Sequence, residues 1–170
     1  MNLALFLDRD GVINVDYNFV HRAEEFVLTD GIVDLLRLAA ARNYKAIVVT
    51  NQSGIARKIY TMNDFLTLTR YMIAKLEALG APIAGVYYCP HAPEDGCECR
   101  KPQPGMLLQA AHDFQIDLGA SWLIGDRPSD IMAAKNAGVP HTILLGEPPS
   151  EAEFTAQNIF GTIDIFKKRA

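Results

Sequence analysis

The feature that most limits how this chain can fold is a regular alternation of short apolar runs with longer stretches of helical periodicity. The apolar runs predict five buried strands, over residues 3–7, 45–50, 83–88, 121–125 and 141–145. Between them, helical spacing of apolar residues predicts four helices, over residues 31–43, 62–80, 104–114 and 128–138. The alternation predicts an α/β fold in which helices cover both faces of a mainly parallel sheet. With 170 residues the chain suits one domain, residues 1–170, and leaves no room for a separate cap domain.

Three stretches fall outside this alternation. Residues 12–30 lack clear periodicity, and we expect them to wrap over the mouth of a ligand site. Residues 146–157 are rich in Gly, Pro, Ser and Glu and predict a surface loop. Residues 158–170 are a terminal element whose type the pattern leaves open.

Composition excludes several classes of function. A net charge of −4 gives no basic face for nucleic acid, so an anionic ligand must be held by a local cluster of donors. No apolar run reaches the length of about 18 residues that a membrane span needs, and the first residues lack the basic start of a signal peptide. We therefore expect a cytoplasmic protein that binds neither nucleic acid nor membrane, and we expect it to be a monomer.

Two carboxylates follow the first predicted strand, where an open parallel sheet places its ligands. Asp8 and Asp10 are two residues apart, so extended chain separates them by about 6–7 Å and lets both face one small site. Arg9 between them should point elsewhere. One carboxylate can attack phosphorus, and the other can protonate the leaving oxygen and later deprotonate water.

A divalent cation would relieve the repulsion between these carboxylates and a phosphate. Mg²⁺ is bound by oxygen ligands, and Asp126, after the fourth predicted strand, is a third oxygen donor with Asp130 behind it. The structural alternative is that "DRDG" is an ordinary turn and Asp130 an acidic residue near a helix N-terminus. The placement of these groups after two different strands favours the functional interpretation.

Donors for a phosphate follow the second and third predicted strands. Lys101 supplies a positive charge suited to a phosphoryl oxygen. The segment before Gly54 supplies hydroxyl, amide and backbone N–H groups, and its predicted substrate-binding residues are Thr50, Asn51, Gln52 and Ser53.

The loop "CPHAPEDGCECRKP", residues 89–102, contains all three cysteines of the chain. In a reducing compartment such a cluster indicates a metal site, and the closed set of four soft and borderline ligands predicts structural Zn²⁺ in residues 89–99. The predicted ligands are Cys89, His91, Cys97 and Cys99. Because Cys99 lies two residues before Lys101, a stiffened loop would also hold Lys101 and Arg100 in place.

Four segments in order resemble the motifs of the haloacid dehalogenase superfamily of Mg²⁺-dependent phosphatases: "FLDRDG", "VTNQSG", "RKP" and "IGDRPSD". The resemblance covers nearly the whole chain and implies a Rossmann-like three-layer α/β/α sandwich. It implies that Asp8 is the nucleophile and Asp10 the general acid/base, with Thr50 and Lys101 on the transferring phosphoryl group. It further implies that Asp8, Asp126 and the backbone carbonyl of Asp10 hold Mg²⁺, supported by Asp130. It assigns no role to Arg127.

The zinc loop resembles that of two small cap-less branches of the superfamily, the heptose-1,7-bisphosphate phosphatases and the histidinol-phosphate phosphatases. "TNQSGIAR" favours the first, which acts on the way to nucleotide-activated heptose, whereas "IGDRPSD" leans towards the second. A bisphosphate needs a cation for its remote phosphate, and Arg57 and Arg100 are candidates. Histidinol phosphate would favour carboxylates, of which the candidates are Asp16, Glu24 and Glu25.

The leading expectation is thus a hydrolase that removes the 7-phosphate of a small phosphorylated sugar, a heptose 1,7-bisphosphate. The alternatives are a histidinol-phosphate phosphatase, a non-catalytic zinc-stabilised binding module and, least favoured, a nucleic-acid-binding zinc loop. Presence of both Asp8 and Asp10 speaks against the binding module, which needs neither.

Overall fold

The computed structural model describes residues 1–147 and 151–170, and within them six parallel strands form one sheet. The strand order is β3-β2-β1-β4-β5-β6, so the direction of winding reverses between β1 and β4. A crevice opens at such a reversal, beyond the carboxyl ends of the strands. The strands are β1 (Leu3–Leu7), β2 (Tyr44–Asn51), β3 (Gly85–Cys89), β4 (Trp122–Gly125), β5 (His141–Leu145) and β6 (Phe154–Ala156).

The helices lie between the strands as the apolar spacing predicts. Short 3₁₀ turns add local structure at Ala23–Glu25, Pro93–Asp95 and Leu118–Ala120. No helix among the described residues is both long and apolar enough to cross a membrane. The α-helices are α1 (Ile32–Ala41), α2 (Met62–Ala78), α3 (Gly105–Phe114), α4 (Pro128–Ala137) and α5 (Ile159–Arg169).

Alternating side chains of the central strands divide the core into two clusters, one on each face of the sheet. In β1, Leu5 and Leu7 pack on the face covered by α1, α2 and α5. Ala4 and Phe6 point to the opposite face, which α3 and α4 cover. Because both faces are buried, the strands are apolar throughout rather than alternating, which is why the sequence predicted a parallel sheet.

The C-terminal part corrects one expectation. Residues 146–157 were expected to form only a surface loop, but Phe154–Ala156 pair with β5 in parallel as a sixth strand, in the register Ile143 to Phe154. Three residues are too few to show a period of two, so pattern alone does not reveal this edge strand. Residues 148–150 of the same stretch lie outside the described residues. The terminal element is helix α5, whose first turn is capped by the Asn158 side chain, which accepts from the Gly161 N–H at 3.0 Å.

Candidate active site

The loops that follow β1 to β4 surround a cavity of about 500 Å³ at the carboxyl ends of the strands. The segment 12–30 contributes Asp16, Asn18 and Phe19 to its wall, in agreement with the expected position over the mouth. The other lining residues are Asp8, Asp10, Asn51, Gln52, Ser53, Arg57, Tyr60, Arg100, Lys101, Pro102, Arg127, Ser129 and Asp130.

Lys101 lies at the centre of a buried group of carboxylates. Its Nζ is 3.0 Å from Asp8 Oδ1 and 2.7 Å from Asp130 Oδ1, and it also donates to the Val49 carbonyl oxygen at 2.7 Å. Asp8 Oδ1 further accepts from the Arg9 N–H at 2.8 Å, and Asp130 Oδ2 accepts from the Arg127 N–H at 3.0 Å. The lysine brought by the third loop is thereby fixed against the carboxylates brought by the first and fourth.

The electrostatics of this group leave negative charge uncompensated. Burial raises the pKa of Asp8 to about 8, although Lys101 acts to lower it. Burial, and then the charge of Asp130, raise the pKa of Asp126 to about 6. Burial disfavours the ammonium of Lys101, but Asp8 and Asp130 outweigh it and raise its pKa. Lys101 thus lies among three acidic side chains, two of which have raised pKa values, and a divalent cation would favour their ionised forms.

The donor set of these carboxylates suits Mg²⁺. Asp8, Asp126 and Asp130 each offer an oxygen, and the three oxygens lie within 4.8 Å of one another. Asp126 Oδ1 is buried and has no hydrogen-bond partner among the described residues, which is costly unless a cation binds it. Gly11 makes room for this side chain, because a Cβ there would lie 2.1 Å from Asp126 Oδ2.

Asp10 is held by three side chains, and one of them corrects an expectation. Arg9 was expected to point elsewhere, but its buried guanidinium donates through Nη2 to both carboxylate oxygens of Asp10, at 2.9 and 3.0 Å. The same nitrogen donates to the Val20 carbonyl oxygen at 2.7 Å, which ties the 12–30 segment to Asp10. Asn14 donates to Asp10 Oδ1 at 3.0 Å and Gln52 to Oδ2 at 3.1 Å. These hydrogen bonds fix the orientation of the Asp10 carboxyl group.

The segment after β2 positions the other predicted phosphate donors. Thr50 is buried and its hydroxyl oxygen accepts from Gln52 Nε2 at 2.9 Å, so the hydroxyl hydrogen remains for a ligand. The Tyr60 hydroxyl donates to Gln52 Oε1. Ser53 lines the cavity. Asn51 does so too, but its amide binds the Lys101 backbone at both ends, through Oδ1 at 3.0 Å and Nδ2 at 3.2 Å.

Three arginines line the outer part of the cavity. Arg57 and Arg100 are the predicted contacts for a second phosphate, and Arg100 Nη1 lies 3.5 Å from the His91 carbonyl oxygen of the cysteine loop. Arg127, to which the sequence assigned no role, donates to Asp16 Oδ2 at 3.3 Å. That ion pair joins the loop after β4 to the 12–30 segment. It also occupies the carboxylate that would otherwise be free to attract an amine.

The cysteine loop brings its four predicted ligands together outside the cavity. Their ligand atoms lie within 4.8 Å of one another, and neighbouring atoms are 3.3–3.5 Å apart. A tetrahedral zinc site with these ligands has edges of about 3.4–3.8 Å, so the geometry fits the ion. Burial raises the pKa of the Cys89 thiol; for Cys97, burial acts in the same direction but the Arg100 N–H and the neighbouring thiols lower the pKa to about 7. Zinc binding requires thiolates, which the ion itself would stabilise.

Sequence reasoning missed the side chains that orient the predicted site residues. Arg9 and Asn14 donate hydrogen bonds to Asp10, and Tyr60 donates one to Gln52. The glycine of "TNQSG" was the only available signal for Tyr60, since a Cβ at Gly54 would lie 2.1 Å from the Tyr60 ring. Such a close approach is not visible from spacing alone.

Comparison with known proteins identifies relatives in sequence and in fold. The HAD-hydrolase-like family matches residues 98–154. The chain is 48% identical, over 87% of its length and 86% of theirs, to the D-glycero-beta-D-manno-heptose-1,7-bisphosphate 7-phosphatase of Helicobacter pylori. It is 45% identical, over 98% of its length and 96% of theirs, to the D-glycero-alpha-D-manno-heptose-1,7-bisphosphate 7-phosphatase of Campylobacter jejuni. A crystal structure of D,D-heptose 1,7-bisphosphate phosphatase from B. bronchiseptica, complexed with magnesium and phosphate, superposes with a TM-score of 0.88 at 29% identity and covers all of both chains.

The chain therefore belongs to the family of HAD-like hydrolases, and its relatives there are heptose-1,7-bisphosphate 7-phosphatases. This membership confirms the predicted enzyme class, a phosphoric monoester hydrolase, and the predicted Rossmann-like α/β architecture.

Proposed function

We propose that the protein is a Mg²⁺-dependent phosphatase that removes the 7-phosphate of D-glycero-D-manno-heptose 1,7-bisphosphate. The observation that carries the proposal is the placement of Asp8, Asp10 and Lys101 around one cavity in a chain whose relatives bear that name. The relatives include enzymes named for the alpha and for the beta anomer, so both anomers are candidate substrates.

The chemistry is a double displacement at phosphorus. An oxygen of Asp8 attacks the phosphorus of the 7-phosphate, the bond to O7 breaks, and O7 leaves with its electron pair and takes a proton from Asp10. Water then attacks the phosphorus of the aspartyl-phosphate and gives its proton to Asp10. The phosphorus–oxygen bond to Asp8 breaks, which releases phosphate and restores the Asp8 carboxylate.

The remaining donors stabilise charge on the transferring group. Lys101 lies 3.0 Å from Asp8 Oδ1 and can bridge the nucleophile to a phosphoryl oxygen, while Thr50 offers its hydroxyl hydrogen. Removal of one such preorganised donor lowers kcat by about 10²–10³-fold in well-studied enzymes. Mg²⁺, held by Asp8, Asp126 and the Asp10 carbonyl with Asp130 in support, would supply charge neutralisation of nucleophile and phosphate.

The second phosphate has cationic partners on the outer wall of the cavity. Arg57 and Arg100 line it, and neither pairs with a carboxylate in the ion pairs of the described residues. The only carboxylate among the three histidinol-type candidates that lines the cavity, Asp16, pairs with Arg127 at 3.3 Å. The wall therefore favours a second anion over an amine.

We further propose that Zn²⁺ occupies the cysteine loop as a structural ion. Four protein ligands leave no coordination position for water, and none of the four lines the cavity. The single-domain organisation of residues 1–170, the monomeric state and the cytoplasmic location remain predictions.

Steady-state kinetics on three substrates test the proposed function. The measurement compares kcat/KM for the alpha and beta heptose 1,7-bisphosphates and for histidinol phosphate, with Mg²⁺ present. We expect at least one bisphosphate anomer to exceed histidinol phosphate by roughly 10²-fold or more, because the second phosphate can form charge-assisted hydrogen bonds with Arg57 and Arg100. Equal or faster turnover of histidinol phosphate would overturn the substrate assignment. Full activity in EDTA would overturn the metal requirement.

A further inference from the structure

Tyr60 contacts the proposed reacting groups only through Gln52, which hydrogen-bonds to Asp10 and Thr50. Its hydroxyl donates to Gln52 Oε1, and Gln52 Nε2 in turn donates to Asp10 Oδ2 at 3.1 Å and to Thr50 Oγ1 at 2.9 Å. Gln52 is 2% exposed and Tyr60 5% exposed, so water cannot readily replace either partner. One buried amide thus serves both the proposed general acid/base and a proposed phosphate-binding hydroxyl.

The orientation of this amide decides whether it helps or opposes the site. With Oε1 towards Tyr60, both N–H groups point to the acceptors Asp10 and Thr50. A flipped amide would place Oε1 against the Asp10 carboxylate and would withdraw both donors. The Thr50 hydroxyl can accept from Nε2 or donate to Oε1, so it does not select between the two orientations of the amide. The Tyr60 hydroxyl donates to Gln52 Oε1, and a flipped amide would remove that acceptor.

Tyr60 can hold the Gln52 amide in this orientation because its hydroxyl stays protonated and its ring is fixed by packing. Burial raises the pKa of Tyr60 to about 12, so the phenol keeps its hydrogen at neutral pH. The ring stacks on His21 with a centroid distance of 5.2 Å and packs where Gly54 lacks a Cβ. Thr61, the next residue, caps α2: its Oγ1 accepts from the Asp64 N–H at 3.1 Å. In return, the Thr61 N–H donates to Asp64 Oδ2 at 2.8 Å.

We propose that Tyr60 is a positioning residue for phosphate transfer: through Gln52 it keeps amide hydrogens on both Asp10 and Thr50. The expected effect of Tyr60 on rate rests on the proposed function. The hydrogen-bond arrangement itself can be tested in a crystal structure, without turnover. Tyr60 does not contact the reacting atoms, so its effect should fall on kcat and leave KM nearly unchanged.

A double-mutant cycle tests whether Tyr60 acts through Gln52. In wild type, Tyr60→Phe should lower kcat by about tenfold with KM within about threefold, since small misplacements of catalytic groups are costly. In a Gln52→Met background there is no amide to orient, so Tyr60→Phe should lower kcat by less than about twofold. Equal losses in both backgrounds, or a loss confined to KM, would overturn the proposal. Tyr71→Phe on the outer face of α2 is the matched control and should leave kcat unchanged.

Rates measured with the heptose bisphosphate and with p-nitrophenyl phosphate separate this proposal from the substrate assignment. If only the aryl phosphate is turned over, the substrate proposal fails, but the double-mutant cycle can still be measured with the aryl phosphate. A crystal structure of Tyr60→Phe supplies a readout that needs no activity. We expect the Gln52 amide to rotate or move away from Asp10 Oδ2; an unchanged Gln52 hydrogen-bonded to both Asp10 and Thr50 would contradict the proposal.

Discussion

Two polar clusters lie at the same edge of the sheet and differ in what they leave unsatisfied. The carboxylates after β1 and β4 surround one lysine, are buried, and include an oxygen of Asp126 without a partner among the described residues. The cysteine loop after β3 arranges four ligand atoms around a common centre, and none of these four residues lines the cavity, although Arg100 and Lys101 further along the loop do. The first cluster has charged groups available to bind a ligand, whereas the four ligands of the second leave no open coordination position. A concentration of reactive residue types therefore does not locate the chemistry; open coordination and uncompensated charge do.

The largest expected difference between the clusters comes from Asp8→Asn. The amide keeps the shape of the side chain but cannot act as a nucleophile, so kcat should fall on the order of 10⁴-fold or more. Steady-state rates with Mg²⁺ measure the loss, and thermal unfolding shows whether the fold is intact. Asp164→Asn, an exposed change of the same kind on α5, is the control and should leave both unchanged. Turnover by Asp8→Asn within about tenfold of wild type would remove the nucleophile assignment.

A smaller effect on rate and a large one on stability are expected from Cys97→Ser. Loss of one ligand weakens zinc binding, and because metal binding is coupled to folding, the free energy of unfolding should fall by at least about 3 kcal/mol. Below the melting temperature kcat should stay within about tenfold, since the ion does not contact substrate. Denaturant unfolding, metal analysis and rates are compared with Glu98→Gln in the same loop. A folded Cys97→Ser protein without activity would contradict a role of the zinc ligands in stability alone.

The smallest expected effect is a dependence of stability on pH in the Mg²⁺-free protein. The folded-state pKa of Asp8 is raised from 3.8 to about 8, so between these values the folded state binds more protons than the unfolded state. Stability should then decrease as pH rises from 6 to 8, by at most roughly 1.4 kcal/mol per pH unit for one group. Denaturant melts at pH 6, 7 and 8 measure the slope. Asp8→Asn and Mg²⁺ should each flatten it, since the first removes the titrating group and the second favours the ionised carboxylate, whereas a slope unaffected by Asp8→Asn would assign the effect to other groups.

Much of the fold could be predicted because its signals are local and repeated. The apolar runs at Leu3–Leu7 and Tyr44–Asn51 are buried on both faces, and the helices between them keep their spacing. Strand β6 could not be predicted, because its three residues acquire strand geometry only from pairing with β5.

The site residues likewise include some that the sequence predicted and some that it could not predict. Asp8, Asp10, Thr50, Lys101 and Asp126 follow strands whose carboxyl ends converge, so their proximity follows from the order of the elements. The direction of the Arg9 guanidinium and the bond from Tyr60 to Gln52 depend on side-chain geometry and on the absence of a Cβ at Gly54. These are properties of three-dimensional packing, to which residue spacing is blind.

The most direct test of the central claim is to trap the phosphorylated enzyme. During turnover with the bisphosphate, rapid quenching and borohydride reduction convert an aspartyl-phosphate to homoserine, which mass spectrometry locates in the chain. We predict homoserine at position 8, absent without substrate and absent in Asp8→Asn. Modification at another residue, in particular a phosphorylated residue of the cysteine loop, would contradict the assignment of the chemistry to the carboxylate cluster.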